Sequence, residues 1–357
     1  MRRFCFVTLI VIATLAIIAL AQPAPATGAY KVVKTAKVGG DGGFDYVYAD
    51  VDGRRLYVPR TGANPRVSVY NLDTQEPLGE IAKTNARGAA VDPKSGHGFA
   101  SSKPVAMWDT KTLQLIKTID VDPGAGPDGI LFDSFNQRVW VFSHRAPNAT
   151  IIDAKDGSIV GTLDLGGAPE QAVTDGKGHM YVDLEDMDKI AAVDTKTLKV
   201  TGTYALEGKG GGPGGLAFDV KNHVLFATCH TPATMVILNS DTGKILDTLP
   251  IGTGTDGATF NPNTMEAFSS NGDGTLTVIK ENSPTSFVVE QNVTTMRGAK
   301  TLTMDTKTNH VLLIAAEYGP PPAPPADAPP PDPTKKDGRG PRAPMLPDSF
   351  SIVVVGK

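Results

Sequence analysis

From Asp128 to Gly167 the chain reads DGILFDSFNQRVWVFSHRAPNATIIDAKDGSIVGTLDLGG, a quick alternation of apolar runs and polar breaks. β-Branched and aromatic residues fill the runs, while Asp, Asn, Gly and Ser gather between them. Such runs predict strands, because these side chains suit a pleated, half-buried surface and the breaks suit turns. The predicted strands are Ile130–Phe132, Arg138–Phe142, Thr150–Ile152 and Ile159–Leu165. One such four-stranded sheet cannot bury both faces, so the unit needs neighbours.

The chain supplies them by repetition. Asp133 ends the first strand of this unit, and its equivalents are Asp50, Asp92, Asp175, Asp219, Asn261 and Asp305. The spacings along the series are 42, 41, 42, 44, 42 and 44 residues. Seven residues beyond the anchors stand Tyr57, Phe99, Trp140, Phe226, Phe268 and Leu312, and Tyr181 serves in the fourth copy, which is one residue shorter. A second register, Asn71, Asp109, Asp153, Asp194, Asn239 and Lys280, marks the turn after the third strand. A period of 40–45 residues with four strands predicts the blades of a propeller. The expected fold is all-β, with seven four-stranded antiparallel blades.

The two ends of the chain complete each other. The last copy has strands at Thr301–Met304, Val311–Ala315 and Phe350–Val355, and no fourth. Near the N-terminus, Tyr30–Val38 (YKVVKTAKV) matches Leu113–Val121 (LQLIKTIDV), the fourth strand of the second blade. Pairing it into the last blade closes the ring and covers an exposed sheet edge. One propeller over residues 29–357 is therefore expected.

Residues 1–21 read as a signal peptide, with Arg2 and Arg3 ahead of the apolar run Phe4–Leu20 and a small-x-small site at Ala19-Leu20-Ala21. Residues 22–28 form a short linker, and the destination is periplasmic or secreted. The membrane would be touched only through an uncleaved signal. Cleavage leaves Cys229 alone, so no intramolecular disulfide can form despite the oxidising destination. Lys and Arg number 34 against 38 Asp and Glu, which argues against a general polyanion binder. Between the second and third strands of the last blade, Gly319–Pro347 carries 12 prolines in 29 residues. Proline cannot donate to a sheet, so this is an inserted loop of polyproline-like or disordered character, either plain solvated chain or an arm for a partner.

The repeat resembles the YVTN-repeat, YncE-like family of exported seven-bladed propellers. Tyr57-Val58 and Tyr181-Val182 keep the first half of the namesake motif, Trp140-Val141 and Phe226-Ala227 approximate it, and the Thr-Asn ending is missing from every copy. The resemblance implies the architecture and a binding or cell-envelope role, single-stranded DNA binding included, without a shared catalytic set.

In a propeller the first strand of each blade lines the axis. The anchor Asp residues then lie on the face opposite the fourth-to-first connections, where Asp and Asn cap turns. Five residues before each anchor comes the start of the inner strand, reading Asp45, Arg87, Asp128, Glu170, Gly214, Asp256 and Lys300. With strands about 5 Å apart, neighbours around a ring of ~7 Å radius lie roughly 6 Å from one another. Charges at that separation interact appreciably. Lys300, Asp45 and Arg87 alternate in sign, whereas Asp128 and Glu170 are adjacent like charges. The ring is either a wet mouth of mutual salt bridges or a site for a polar or cationic ligand.

His144, Arg145 and His230 fall on second-to-third-strand loops at the same mouth, and Asp183, Glu185 and Asp186 lie in the blade between. His97, His179, His223 and His310 fall in hairpins on the opposite face, where solvent exposure is expected. Imidazole and carboxylate suit zinc, but loops two blades apart at a ~12 Å radius are roughly 19 Å apart. No metal and no cofactor is therefore expected. Gly210-x-Gly212-x-x-Gly215 and Gly252-x-Gly254-x-x-Gly257 precede strands, so they are turn glycines and no dinucleotide site. Cys229 and His230 are neighbours on a strand and point to opposite faces, which disfavours a thiol nucleophile.

The expectation from sequence is a monomeric, non-catalytic propeller binding a polar small ligand, an envelope component or a protein at its channel mouth. The candidate ligand-binding residues are Asp45, Arg87, Asp128, Glu170, Asp256, Lys300, His144, Arg145 and His230, and no catalytic residue is assigned. The alternatives are a propeller enzyme, lactonase-like or quinoprotein-like, and single-stranded nucleic-acid binding. The latter needs aromatics beside a basic groove, and the ring offers only Arg87 and Lys300 as cations.

Overall fold

The structure, a computed structural model, describes residues 28–121, 126–320 and 343–357. The signal peptide and most of the linker assigned above, and residues 321–342 of the proline-rich insertion, lie outside the described residues. Seven four-stranded antiparallel sheets follow one another around an axis, as the repeat predicts. The third blade shows the pattern, with strands Pro127–Asp133, Arg138–Ser143, Asn148–Asp153 and Ile159–Asp164 paired in that order. Residues of the second and third strands are buried almost throughout, whereas fourth strands such as Ile159–Asp164 alternate between exposed and half-buried. Burial thus peaks in the two middle strands of the blade and falls off at the outer one.

Seven apolar clusters fill the seven gaps between adjacent sheets. The large apolar residues of the repeat occupy them: Tyr57, Phe99, Trp140, Phe226, Phe268 and Leu312 are each 1% exposed or less. The anchor carboxylates cap hairpins as expected. Asp50 accepts from the Gly53 amide at 2.9 Å, Asp175 from Lys177 at 2.7 Å and Asp219 from Lys221 at 2.9 Å. Each satisfies an amide that the hairpin would otherwise leave without a partner. Of the four histidines on this face, His179 and His223 are exposed as expected. His97 and His310 are only half-buried, and the His97 ring meets the Ala154 carbonyl of the next blade at 2.9 Å.

The last sheet is ordered Lys31–Lys37, Ser351–Gly356, His310–Ala315 and Leu302–Asp305. Its outer strand comes from the N-terminus and runs antiparallel to Ser351–Gly356, from Lys31 opposite Gly356 to Lys37 opposite Ser351. The stems of the insertion converge at the same blade, where Tyr318 bridges Met345 and the Gly319 amide donates to the Pro344 carbonyl at 2.9 Å.

Closure is reinforced by a latch to the sixth blade. Glu266, 1% exposed, accepts from the Tyr30 hydroxyl at 2.5 Å and pairs with Lys357 Nζ at 2.7 Å. Gln291 receives the Tyr30 amide at 2.9 Å and donates to its carbonyl at 2.7 Å. One carboxylate thus holds both ends of the described chain. Burial alone would raise the Glu266 pKa, but Lys357, Thr264 and Tyr30 together hold it below the ordinary carboxylate range. A depressed carboxylate contributes stability that is complete above its unfolded pKa and lost as pH falls through its folded pKa. Glu266→Ala is expected to cost about 2–3 kcal/mol at neutral pH, since it strands a buried phenol and an ammonium. Urea titrations should show that gap closing in acid. A gap independent of pH would refute the latch.

Candidate functional site

The inner strands do not reach the channel mouth as regular ladders. Pairing shifts register between Pro127 and Ile130, Pro169 and Ala172, Pro213 and Gly215, and Thr255 and Ala258. A bulge breaks the two-residue alternation of a strand and re-aims its side chains. The consequence is clearest in the fourth blade, where both Glu170 and Gln171 turn to the axis and bond across it. Two stacked levels of side chains result.

The upper level is the charged ring expected from sequence. Asp45 takes the Arg87 guanidinium at 2.7 Å, and Arg87 Nε lies 3.5 Å from Asp128 Oδ1. Lys300 pairs with Asp256. All six ionisable ring residues line one open cavity of about 680 Å³, joined by Lys103, His144, Arg145 and Glu185 from the loops. Arg145 is exposed at the rim, its stem 3.1 Å from where a side chain on Gly126 would begin. Arg145 thus belongs to the mouth without joining the ring's ion pairs.

The lower level reads Tyr46, Gly88, Gly129, Gln171, Gly215, Gly257 and Thr301, one residue after each ring position. Four glycines leave room that two long side chains fill. Tyr46 reaches from the first blade to the fourth, donating to Glu170 Oε1 at 2.7 Å. Gln171 reaches the other way, donating to the Ala258 carbonyl at 3.1 Å and accepting from the amides of Leu216 and Ala258 at 3.1 and 3.2 Å. A methyl on Gly215 would lie 2.6 Å from the backbone of Gly257, and one on Gly129 would lie 2.6 Å from the Glu170 carbonyl. Here glycine is required by close backbone approach. Tyr46 and Gln171 together form a plug below the mouth.

Three carboxyl groups of the ring are placed unlike one another. Burial, followed by the charges of Glu170 and Asp45, pushes Asp128 up to about 7. Burial also raises Asp256 to about 6 against the pull of Lys300. Burial would raise Glu170 as well, yet His144 and Tyr46 outweigh it and hold that carboxyl low. His144 is raised to about 9, chiefly by Glu170. Its Nδ1 lies 3.0 Å from Glu170 Oε2 and 4.0 Å from Asp128 Oδ2. The 3.0 Å approach is off the hydrogen-bonding line, which leaves Nδ1 without a proper hydrogen bond, so it acts as a charge contact.

The separation expected between the two mouth histidines is corrected here. His144 Nε2 lies 3.5 Å from Glu185 Oε2, and His230 Nε2 lies 3.9 Å from Glu185 Oε1. The backbones are far apart, but all three side chains fold inward. Glycine at position 214 makes the room, because a methyl there would fall 2.9 Å from His230 Nε2. His144, Glu185 and His230 hold matching places, four residues beyond Trp140, Tyr181 and Phe226 in consecutive blades. Just below them lies Asp183, fully buried with neither oxygen hydrogen-bonded, where burial and the charges of Glu170 and Glu185 push its pKa far up. Asp183 belongs to the scaffold beneath the mouth.

Sequence reasoning located the ring and the loop histidines but missed Tyr46, Gln171 and Lys103. The signal for the first two was present: large residues at two places where four other blades have glycine. No protein-family model matches the chain, and no curated protein matches its sequence. Among solved structures, a chain in the crystal structure of the mitotic checkpoint complex is similar, with a TM-score of 0.68 and 11% identity. The match covers 86% of this chain and 95% of that one. At that identity the likeness concerns the fold alone. Solved chains of this shape number 1701, so it marks a widely used scaffold and no particular activity.

Proposed function

We propose that the protein is an exported, non-catalytic propeller of the YVTN-repeat, YncE-like kind that binds a small polar solute at its channel mouth. The observation that carries this reading is the charged cavity of about 680 Å³ set above the Tyr46–Gln171 plug. Asp128, Glu170 and Asp256 stand on inner strands, and Asp45, Arg87 and Lys300 on the segments just ahead of them, so little ordering is left for the moment of binding. The acidic arc of Asp128, Glu170 and Glu185 favours a solute with a cationic group, and Arg145 and Lys103 at the rim suit an anionic one. Catalysis has less support. The one cysteine of the mature chain is buried, and burial raises its thiol far above the range of a nucleophile.

The test is a thermal-shift screen of polar solutes with a chelator present, followed by calorimetry on any hit. Asp128→Asn with Glu170→Gln should leave the melting temperature of the free protein nearly unchanged. Two lost charge-assisted hydrogen bonds of about 1.5–3 kcal/mol each should weaken binding about 10²–10⁴-fold. A double variant that binds its solute like the parent would sink the assignment, and so would a screen without a hit.

A further inference from the structure

We propose that Asp128, His144 and Glu170 form a site for a divalent transition-metal ion of the zinc class, open on its fourth side to the mouth cavity. One carboxylate oxygen from each acid and one imidazole nitrogen lie within 4.8 Å of one another. The measured separations around His144 Nδ1 are 3.0 Å to Glu170 Oε2 and 4.0 Å to Asp128 Oδ2. A tetrahedral ion with bonds of about 2.0–2.2 Å spaces its ligands about 3.3 Å apart. The two separations from Nδ1 bracket that spacing, and the third, between the two acids, is no more than 4.8 Å, so the three atoms close on an ion when Asp128 and Glu170 turn toward it.

The support around the three atoms is as telling as the atoms. A ligating histidine usually presents its other nitrogen to a carboxylate, and ligating carboxylates are usually held by a second partner. His144 turns Nδ1 inward while Nε2 faces Glu185 at 3.5 Å. Glu170 turns Oε2 inward while Oε1 is held by Tyr46 at 2.7 Å. Asp128 turns Oδ2 inward while Arg87 stands 3.5 Å from Oδ1. The Tyr46 bond thus fixes Glu170, while Glu185 and Arg87 stand as charged neighbours behind His144 and Asp128.

A second observation points the same way. Nδ1 of His144 is buried and makes no aligned hydrogen bond among the described residues, its nearest acceptor being Glu170 Oε2 at 3.0 Å. Asp183, fully buried and also without a partner, lies within electrostatic reach of Glu170 and Glu185. A bound cation would give the unbonded His144 Nδ1 a partner between the Asp128 and Glu170 carboxylates. Imidazole in the set favours zinc, cobalt or nickel over calcium or magnesium, which prefer all-oxygen sites.

The proposal deepens the reading of the mouth as a polar binding site by giving it a fixed cation as anchor. The test is calorimetric titration of chelator-stripped, full-length protein with Zn²⁺, with Co²⁺ for its electronic spectrum and Ca²⁺ and Mg²⁺ as contrasts. One saturable Zn²⁺ site per chain is expected, with weak or absent Ca²⁺ and Mg²⁺ binding and a tetrahedral Co²⁺ spectrum. His144→Gln and Glu170→Gln should each weaken Zn²⁺ by more than about 100-fold, and Glu185→Gln by about 10-fold or more. His179→Gln, on the opposite face, should change nothing. Melting curves without metal show whether each variant is folded. No saturable Zn²⁺ binding by the parent overturns the proposal, as does binding that survives His144→Gln or vanishes with His179→Gln. Those results leave the mouth reading standing, because its own test is run with metal chelated.

Discussion

Deleting residues 28–38 is expected to abolish cooperative folding of the ring. The deleted strand closes the last blade against Ser351–Gly356, whose six residues are buried in the intact protein. It also carries Tyr30, 3% exposed, packed edge-on to Phe268 at 5.3 Å and bonded to Glu266 in the sixth blade. Burying one aromatic side chain is worth about 1.5–3 kcal/mol, and the lost ladder hydrogen bonds add about 0.5–1.5 kcal/mol each. The total exceeds about 5 kcal/mol, a large share of the 5–15 kcal/mol typical of a folded domain. The uncovered strand is also a ready template for aggregation. Circular-dichroism melts should lose their sigmoidal transition, and a synthetic peptide of residues 28–38 should restore it in trans. A deletion variant melting with the parent's midpoint would show that the ring closes without its N-terminal strand.

Trp140→Ala should cost about 3–5 kcal/mol, the range for emptying a large aromatic site in a core. Trp140 is completely buried between the third and fourth blades, among Ile151, Met180, Val182 and Ala191. These neighbours belong to paired strands on either side, so collapse into the gap is resisted by two ladders at once. Trp140→Phe, keeping most of the volume, should lose much less. Urea denaturation at neutral pH measures both, and equal losses would place the energy in the indole ring's polar edge instead of in packing. Trp140 stands four residues from His144 on the same strand and loop, so a weakened blade interface should also loosen the placement of His144 at the mouth.

Legibility in the sequence followed the kind of constraint involved. The anchors Asp50 to Asp305 and the buried residues seven positions on repeat because every blade needs the same turn cap and the same wedge. That made the fold readable without any relative. The ring from Asp45 to Lys300 was readable too, because a fixed offset from the anchor carries it to the mouth. Tyr46 and Gln171 were not, since strict alternation points them away from the axis; a bulge turns Gln171 inward, and Tyr46 stands ahead of its blade's inner strand, Tyr48–Asp50. The meeting of His144 and His230 over Glu185 was hidden for a different reason. Backbone radius sets how far apart two loops are, but side-chain length and the absence of one at Gly214 decide whether they touch.

The Tyr46–Gln171 plug bears on traffic. If a solute binds in the mouth as proposed, the Tyr46–Gln171 plug below leaves it one doorway for arrival and departure. Exchange would then proceed in turn, each occupant leaving before its successor lands. On the same reading, rim side chains such as Arg145 would govern residence time as much as arrival, although they stand outside the ring proposed to hold the solute.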